Sequence, residues 1–528
     1  MKCLLATATP ATIVVSLLIM LGCDQPPQAA SQAEPKQVAG DPPAQSDQSR
    51  TTWDVYYMKG SRVGYGRTTT SSAVESGRPV VRIDGLNRLS IKRLGQRTDQ
   101  MILCSSLETP AGELIRFDCR MTMGPTPIRT TGQVGGNRLD IETVSEGKKL
   151  PSSIPWSPEW GGPFATEQTL RRNPMRPGEH RTLKALMIGF NQAADVEMAA
   201  KDYEPTGLLG GTYDLLRIES VTRFADGQKL EGTVWTDRTG KTLKTHSQAM
   251  GLETYRTTEA LALEKAGTAG FDLFADMSVK LDRPLPNAHH TKQVRYRVRL
   301  DGGDPAGVFV TGPTQQIKSI DAHTAEVTVY AIRPGEPGGN RRAPADPPTD
   351  ADRRPNNMIQ SDDPAIVAEA KEAAGQQKDP WRVAMALERY VHRAITKKDF
   401  SQAFATAAEV AKSHEGDCTE HAVFLAALAR ARGIPARVAI GLLYMDGSQS
   451  FGYHMWTEVY IDQRWIPIDG TLALGGIGAA HLKLAQSNLA GASAYSAFLP
   501  VAQVAGRLKI EVVEAFSDGA GPATLDKK

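Results

Sequence analysis

A long apolar run in the last third of the 528-residue chain limits the fold more than any other feature. Residues Ala422–Ala429 are apolar nearly all round, which predicts a helix enclosed on every side by the core. Gly433 suits the left-handed residue that ends a helix, and Pro435 prevents its continuation. The run therefore predicts one buried central helix that ends near Arg432.

Cys418 lies at the predicted N-terminus of this helix. Unpaired backbone N–H groups and the helix dipole favour an anion at that end, and hence a thiolate over a thiol. The same N–H groups can form half of an oxyanion hole. The charge of Asp417 opposes this effect, so a neighbouring cation would help. Cys418 has no cysteine partner in its half of the chain, which marks it as a candidate reactive thiol.

Two strands follow the helix. The runs Ala436–Tyr444 and Tyr453–Ile461 have strand character, and Asp462-Gln463 then turns the chain into Arg464–Ile468. A turn of two or four residues centred between Asp462 and Gln463 sets the register of the second strand against the third. The register matters because strand side chains alternate between the two faces of a sheet.

In that register His454 faces Thr471, and Trp456 faces Asp469. His454 and Asp469 are then diagonal neighbours on one face, close enough for the carboxylate to orient the imidazole. Trp456 lies beside the pair and shields it from water. A turn with an odd number of residues would break this arrangement.

The pattern resembles the transglutaminase-like superfamily, whose members are papain-like Cys-His-Asp enzymes. The motifs that carry the resemblance occur in family order at ordinary spacing over about residues 363–485. They are Asp417-Cys418 at a helix start, Gly433-Ile434-Pro435-Ala436-Arg437, His454-Met455-Trp456-Thr457-Glu458 and Trp465–Asp469. The resemblance implies Cys418 as nucleophile, His454 as general base and acid, and Asp469 as the orienting carboxylate.

Each of these residues also has a purely structural interpretation. Taken alone, Cys418 is a small buried hydrophobe, His454 a core histidine and Asp469 a turn residue. Their combination in this order favours the catalytic triad, with Trp456 and Asp417 as supporting residues.

The surroundings of the triad are less well defined by the sequence. The second oxyanion donor is Gln402, Trp456 or neither. His421, one helical turn past the cysteine, lines the cleft or packs, and packing is favoured. Tyr444 and His481 are candidates for the cleft rim.

The hydrophobic pattern changes from strand to helix spacing after a proline-rich stretch. The predicted fold class is α+β, a papain-like or transglutaminase-like C-terminal domain preceded by mainly antiparallel β domains, the largest a sandwich or barrel. The predicted segments are a lipoprotein-type signal peptide (1–23), a flexible linker (24–50), an all-β domain of unknown role (51–265), a smaller β unit (266–335), a proline-rich linker (336–362), the catalytic domain (363–485) and a C-terminal extension (486–528).

The N-terminus predicts export. Ile13–Leu21 is apolar except for Ser16 and is too short for an ordinary membrane span. The run ends in Met20-Leu21-Gly22-Cys23, which resembles a bacterial lipoprotein signal. Cys23 would become the lipidated first residue, on a periplasm-facing, membrane-anchored protein. The alternative is an ordinary signal peptide cut near Ala29-Ala30.

Cys104 and Cys119 flank a turn at Pro110-Ala111-Gly112. If Ala111-Gly112 is the centre of a hairpin, the two cysteines lie directly opposite each other and can bridge. An oxidising compartment makes a disulfide as plausible as two buried free thiols.

Charge and motifs narrow the function further. The 61 basic and 59 acidic residues give no excess of positive charge for binding nucleic acid. No EF-hand loop or dense acidic cluster is present, and the sequence predicts no metal and no cofactor.

We expect an enzyme whose Cys418 attacks the amide bonds of a peptide or protein substrate and forms a thioester. Hydrolysis of this thioester is favoured over crosslinking by a transglutaminase. A hypothesis of another class is an inactive, tethered binding or scaffold protein. The oligomeric state stays open.

Overall fold

The structure is a computed structural model that describes residues 49–93, 95–122, 127–145, 148–264, 270–333, 346–397, 404–490 and 494–517. The predicted signal peptide with Cys23, nearly all of the predicted flexible linker (24–50), and Gln402 lie outside the described residues. The chain divides into two compact units, the first within residues 49–271 and the second from Asp272 onward. Among the helices of the described ranges, none is long and apolar enough to cross a membrane.

Unit 1 is a single antiparallel sheet of fourteen strands, not the two sheets of a sandwich. The strands are β1 Ser49–Met58, β2 Ser61–Glu75, β3 Arg78–Arg93, β4 Gln96–Glu108, β5 Leu114–Thr122, β6 Ile128–Gly135, β7 Arg138–Ser145, β8 Lys148–Pro155, β9 His180–Met187, β10 Gln192–Leu208, β11 Gly211–Arg223, β12 Lys229–Thr236, β13 Thr242–Ser247 and β14 Leu252–Thr257. Strands adjacent in sequence are neighbours in the sheet except β8 and β9, which are its two ends. Because β1 pairs with β14, the order runs from β8 through β1 and β14 to β9. The described residues of the unit also form two short α-helices, α1 Ala165–Arg172 and α2 Glu259–Leu263.

The core of unit 1 follows from the period-two alternation of its strands. In β5 the buried residues Phe117, Cys119 and Met121 point to one side and alternate with half-buried or exposed residues. Leu114, also buried, lies beyond a register shift between Leu107 and Glu108 and does not follow this alternation. Cys104 on β4 lies directly opposite Cys119, and a disulfide joins them. At the cysteines the β4–β5 hairpin therefore has the register expected from a turn centred on Ala111-Gly112, and a register shift between Leu107 and Glu108 changes the pairing by one residue nearer the turn.

Unit 2 combines helices with two smaller antiparallel sheets. Its elements are α3 Leu273–Met277, β15 Val279–Lys280, β16 Thr291–Leu300, β17 Gln315–Asp321, β18 Thr324–Tyr330, α4 Pro364–Ala374, α5 Pro380–Ala394, α6 Ala407–Ser413, α7 Cys418–Ala431, β19 Ala436–Met445, β20 Ser450–Ile461, β21 Arg464–Ile468, β22 His481–Ser487, α8 Leu499–Val504 and β23 Leu508–Ser517. One sheet has the order β17-β18-β16-β23, and the other has the order β15-β20-β19-β22 with β21 also paired to β20. The predicted α+β fold class is confirmed.

Helix α7 is the centre of unit 2. Every residue from Cys418 to Arg430 is buried, and α4, α5, α6, β19 and β20 all contact the helix. Thr457 on β20 donates a 2.9 Å hydrogen bond from its hydroxyl to the backbone carbonyl of Ala422. The all-round apolar pattern of the sequence thus corresponds to a helix surrounded by other elements.

Two segments that the sequence treats as separate units join the same sheet in the structure. Strand β16 of the predicted smaller β unit pairs with β23 of the predicted C-terminal extension.

The described part of the predicted linker, residues 346–362, also packs on unit 2. Ala407 donates its backbone N–H to the carbonyl of Met358, and Ala408 donates to the Gln360 side chain. These residues are part of unit 2 because their side chains and backbone bond to α6.

Candidate active site

The start of helix α7 is capped by its own sequence. The Asp417 carboxylate accepts the Thr419 backbone N–H at 2.8 Å, and the Glu420 carboxylate accepts the Asp417 backbone N–H at 2.9 Å. This capping box fixes the first turn. Gly416 has φ +146°, and a Cβ there would collide with the Glu420 side chain. Only glycine therefore fits directly before Asp417-Cys418.

Cys418 is the first residue of the helix and has no exposed surface. It is the one free cysteine of the described residues. The thiol therefore lies at the predicted position, the N-terminal end of the helix. Asp417 occupies the N–H of Thr419, so the cap residue fixes the helix start and takes one of the donors that were expected to face an oxyanion.

The β20–β21 hairpin has the register that the sequence predicts. Asp462 and Gln463 form a two-residue turn with positive φ at both positions, and Thr457 pairs with Ile468. Continued by one pair, this register sets Trp456 opposite Asp469. His454 and Asp469 therefore lie as diagonal neighbours on one face.

Asp469 accepts a hydrogen bond from His454 at 2.8 Å, between Oδ2 and Nε2 of the ring. Both side chains are almost completely buried. Because Nε2 is used by Asp469, Nδ1 is the ring nitrogen that can exchange a proton with a thiol. The Thr457 bond to Ala422 holds β20 against α7, so the strand with His454 faces the helix that begins at Cys418.

Asp469 has a second histidine partner. His481, the first residue of β22, lies with its Nε2 3.2 Å from the same Oδ2 atom. Oδ1 accepts the backbone N–H of Thr471 at 2.8 Å. Burial on its own raises the pKa of Asp469, but His454 and His481 outweigh it and hold that pKa well below its usual range. The carboxylate is therefore charged at neutral pH.

A buried glutamate supports the backbone of the Asp469 loop. Glu388 on α5 accepts the N–H of Asp469 on Oε1 and the N–H of Gly475 on Oε2, each at 3.0 Å. Burial raises the pKa of Glu388 to about 7, against the lowering effect of these N–H donors. Sequence reasoning missed this residue, because its only signal is one carboxylate on the apolar face of a helix.

Trp456 lies beside the pair as predicted. Its ring stacks on that of His454, with centroids 6.2 Å apart and planes 18° from parallel. Its indole nitrogen is buried and has no hydrogen-bond partner within the part of the chain that the structure describes. Of the residues considered as second oxyanion donor, Trp456 is thus in the site, while Gln402 lies outside the described residues.

The family motif residues Arg437 and Glu458 form a buried ion network behind the site. Arg437 Nε lies 2.8 Å from one Glu458 oxygen, and Lys483 Nζ pairs with the other. Burial raises the pKa of Glu458, but Lys483 and Arg437 together lower it below its ordinary value. The network joins β19, β20 and β22, the strands that carry or flank the histidines.

The other predicted neighbours are also placed. His421 is buried, and its Nδ1 lies 2.6 Å from the carbonyl oxygen of Asp417, in agreement with the favoured packing role. Tyr444 belongs to the core, where its hydroxyl accepts the N–H of Leu285. His289, a residue that the sequence did not connect with the site, has its ring 6.3 Å from that of His481. Only the tertiary fold brings His289 to this place.

The donor atoms of His454, Asp469 and His481 all lie within 4.8 Å of one another. Two imidazoles and a carboxylate are ligands that Zn²⁺ accepts. In the structure both Nε2 atoms are within hydrogen-bond distance of Asp469, so protons on the two rings account for the geometry without an ion.

A buried thiol begins a helix that packs against a strand with a histidine–carboxylate pair, an arrangement compatible with chemistry at a cysteine nucleophile. Residues 368–470 match the model of the transglutaminase-like superfamily. The chain therefore carries a transglutaminase-like domain, and the matched segment contains Cys418, His454 and Asp469.

Several solved structures are similar to parts of the chain. A candidate cysteine protease from Cytophaga hutchinsonii is 16% identical and covers 45% of this chain and 92% of its own, with a TM-score of 0.27. A beta-barrel-like protein of domain of unknown function DUF1849 from Brucella abortus is 8% identical, covering 40% and 95%, with a TM-score of 0.29. A TGase is 18% identical, covering 30% and 43%, with a TM-score of 0.17. No curated protein matches the sequence.

Proposed function

We propose that the protein is a cysteine enzyme that hydrolyses amide bonds of peptides or proteins. The observation that carries the proposal is the buried 2.8 Å bond between His454 and Asp469, on a strand held against the helix that begins at Cys418. A carboxylate on Nε2 keeps the imidazole in one tautomer and leaves Nδ1 as the base.

The chemistry follows from these positions. The Cys418 thiol gives its proton to His454, its sulfur attacks the amide carbonyl carbon, and the oxyanion forms near the N-terminus of α7. The C–N bond then breaks, His454 gives its proton to the leaving amine, and a thioester remains on Cys418. In hydrolysis, His454 takes a proton from water as the water oxygen attacks the thioester carbon. The C–S bond then breaks, which releases the acid and leaves the Cys418 thiolate beside the His454 imidazolium. Asp469 stabilises the imidazolium that exists between these steps.

A first experiment measures the alkylation of Cys418 by iodoacetamide near neutral pH. We expect Cys418 to react faster than a free thiol of a small peptide, and His454→Ala to remove the difference, because the imidazolium stabilises the thiolate. Cys418→Ser is the control for labelling at other sites. A rate equal to that of a free thiol, together with no effect of His454→Ala, would refute the enzyme proposal.

A second experiment separates hydrolysis from crosslinking. The protein is given a glutamine-containing peptide with and without a primary amine, and both ammonia release and amine incorporation are measured. Ammonia release without incorporation supports hydrolysis, whereas incorporation identifies the transglutaminase alternative. The thioester is common to both reactions, so the second substrate decides the product.

The alternative from another class is a tethered binding or scaffold protein in which unit 1 binds the partner and the domain with Cys418 is inactive. A cavity of about 780 Å³ on the β3–β8 part of the sheet supports this alternative. Its lining is mixed, with Arg82, Arg116 and Asp118 among apolar residues such as Phe117. Peptide binding that survives Cys418→Ser and is lost on substitution of these residues, without amide turnover, would favour it.

We also propose that the protein is exported and anchored by a lipid on Cys23. The proposal rests on the sequence Met20–Cys23 after a short apolar run. Incorporation of labelled palmitate that is lost in Cys23→Ser tests it, and secretion of an unlabelled, cleaved protein would favour the ordinary signal peptide.

A further inference from the structure

His481 shares the carboxylate oxygen that orients His454. Oδ2 of Asp469 lies 2.8 Å from His454 Nε2 and 3.2 Å from His481 Nε2. All three side chains are at most 2% exposed, so water does not compete for these bonds. An acceptor oxygen with two donors offers each of them less than it would offer one alone.

The tautomer of His481 follows from its surroundings. Nε2 faces the carboxylate, while Nδ1 is buried without a hydrogen-bond partner among the described residues. A proton on Nε2 satisfies the contact with Asp469, whereas a proton on Nδ1 would be buried and unpaired and would leave two acceptors facing each other. The ring of Trp456 contacts it edge-on, with centroids 5.2 Å apart, and fixes its orientation.

His481 stays uncharged over the working pH range. Burial lowers its pKa to about 4, although Asp469 acts in the opposite direction. The titratable groups that face it are Asp469 after β21, His454 on β20 and His289 before β16. Of the two Asp469 partners, His481 is therefore the constant one, and His454 is the one that can gain and lose a proton during a reaction.

We propose that His481 is a positioning residue that acts through Asp469, as a neutral Nε2–H donor that limits how strongly the carboxylate holds the His454 imidazolium. The proposal deepens the proposed cysteine-enzyme function and rests on it. A carboxylate that held the imidazolium too strongly would slow the transfer of the proton to the leaving amine. The second donor keeps Asp469 ionised and in place while it weakens that hold.

The test compares His481→Phe with His481→Gln. Phenylalanine keeps a flat ring against Trp456 but removes the donor, whereas the side-chain amide of glutamine can restore it at the Nε2 position. We expect the alkaline limb of the kcat/KM profile for amide hydrolysis, which reports loss of the His454 proton, to move up by about half a pH unit or more in His481→Phe. We expect kcat to fall by about tenfold with little change in KM, and His481→Gln to restore both the limb and kcat to within about threefold of the wild type.

The outcomes are distinct. An unchanged limb in a folded His481→Phe protein overturns the inference, and so does a glutamine variant that behaves like the phenylalanine variant, because packing alone would then account for the effect. If wild-type Cys418 shows no dependence on His454 at all, the proposed function fails instead.

A measurement on the wild type covers the case in which His481→Phe does not fold. Nitrogen-15 NMR of the histidine rings is expected to show His481 as the neutral Nε2–H tautomer from about pH 5 to 9. A proton on Nδ1, or a charged ring at pH 6, would overturn the inference.

Discussion

Glu388 accepts the backbone N–H of Asp469 at 3.0 Å, so a helix of unit 2 fixes the loop that carries the orienting carboxylate. Its second oxygen accepts the N–H of Gly475 further along the same loop. Neither contact involves a side chain of the predicted triad. Both nevertheless fix the backbone of the loop, and therefore the position from which the Asp469 side chain extends.

Replacing Glu388 is therefore expected to affect both stability and reactivity. In Glu388→Ala, two backbone donors lose their acceptor in a buried place, which should lower the free energy of unfolding by about 2–4 kcal/mol. Glu388→Gln keeps one acceptor oxygen and should lie between that variant and the wild type. Urea unfolding and the iodoacetamide rate of Cys418 measure the two effects. Arg389→Ala, at the exposed neighbouring position of α5, should change stability by less than about 0.5 kcal/mol. Equal effects of the two alanine variants would contradict the assignment.

The ion network behind the site should be sensitive to loss of its acid. Glu458→Ala leaves Arg437 and Lys483 buried without their carboxylate, which is expected to cost about 3–5 kcal/mol of unfolding free energy. The matched control is Arg354→Ala, which breaks an ion pair whose side chains are 75% exposed and should cost less than about 1 kcal/mol. Thermal and chemical unfolding check both, and a small effect of Glu458→Ala would mean that water reaches the network.

The disulfide of unit 1 should stabilise that unit without influencing the thiol of unit 2. Replacing Cys104 and Cys119 together by alanine frees a loop whose ends are 15 residues apart and should lower the unfolding free energy by about 2–4 kcal/mol. The alkylation rate of Cys418 in the folded double variant should equal that of the wild type. A mass spectrum that shows Cys104 and Cys119 as free thiols, in protein isolated from the compartment where it normally resides, would contradict the disulfide.

Glu108 should make unit 1 less stable as the pH rises. Burial raises its pKa to about 7 from an ordinary value of 4.5, against hydrogen bonds from Ser106 and Gln168. Between about pH 4.5 and 7 the folded chain holds a proton that the unfolded chain releases, so the contribution is complete below pH 4.5 and is lost as the pH approaches 7. The loss amounts to as much as about 3 kcal/mol.

Glu108→Gln, an uncharged analogue, should remove this part of the slope. Urea unfolding at several values between pH 4.5 and 8 measures it, with Glu113→Gln at an exposed position of the same hairpin as control. Glu167, whose pKa burial also raises to about 7, leaves a remaining slope in both variants. Parallel curves for Glu108→Gln and the wild type would show that Glu108 ionises normally in the fold.

The sequence by itself determined the local parts of the site. The helix that begins at Cys418, the two-residue turn at Asp462-Gln463 and the register that places His454 beside Asp469 all follow from short-range patterns. Helix caps, turns and strand alternation depend on residues within a few positions of one another, and for that reason they can be predicted.

Only the tertiary structure decided which distant residues complete the site. His481 reaches Asp469 from β22, Glu388 from α5 and His289 from the segment before β16. Each has an ordinary structural interpretation in its own stretch of sequence, because one histidine or glutamate carries no periodic signal. The single fourteen-stranded sheet and the pairing of β16 with β23 could likewise not be predicted from the sequence. Long-range pairing depends on which surfaces are buried together, and that is set by the packing of the whole unit.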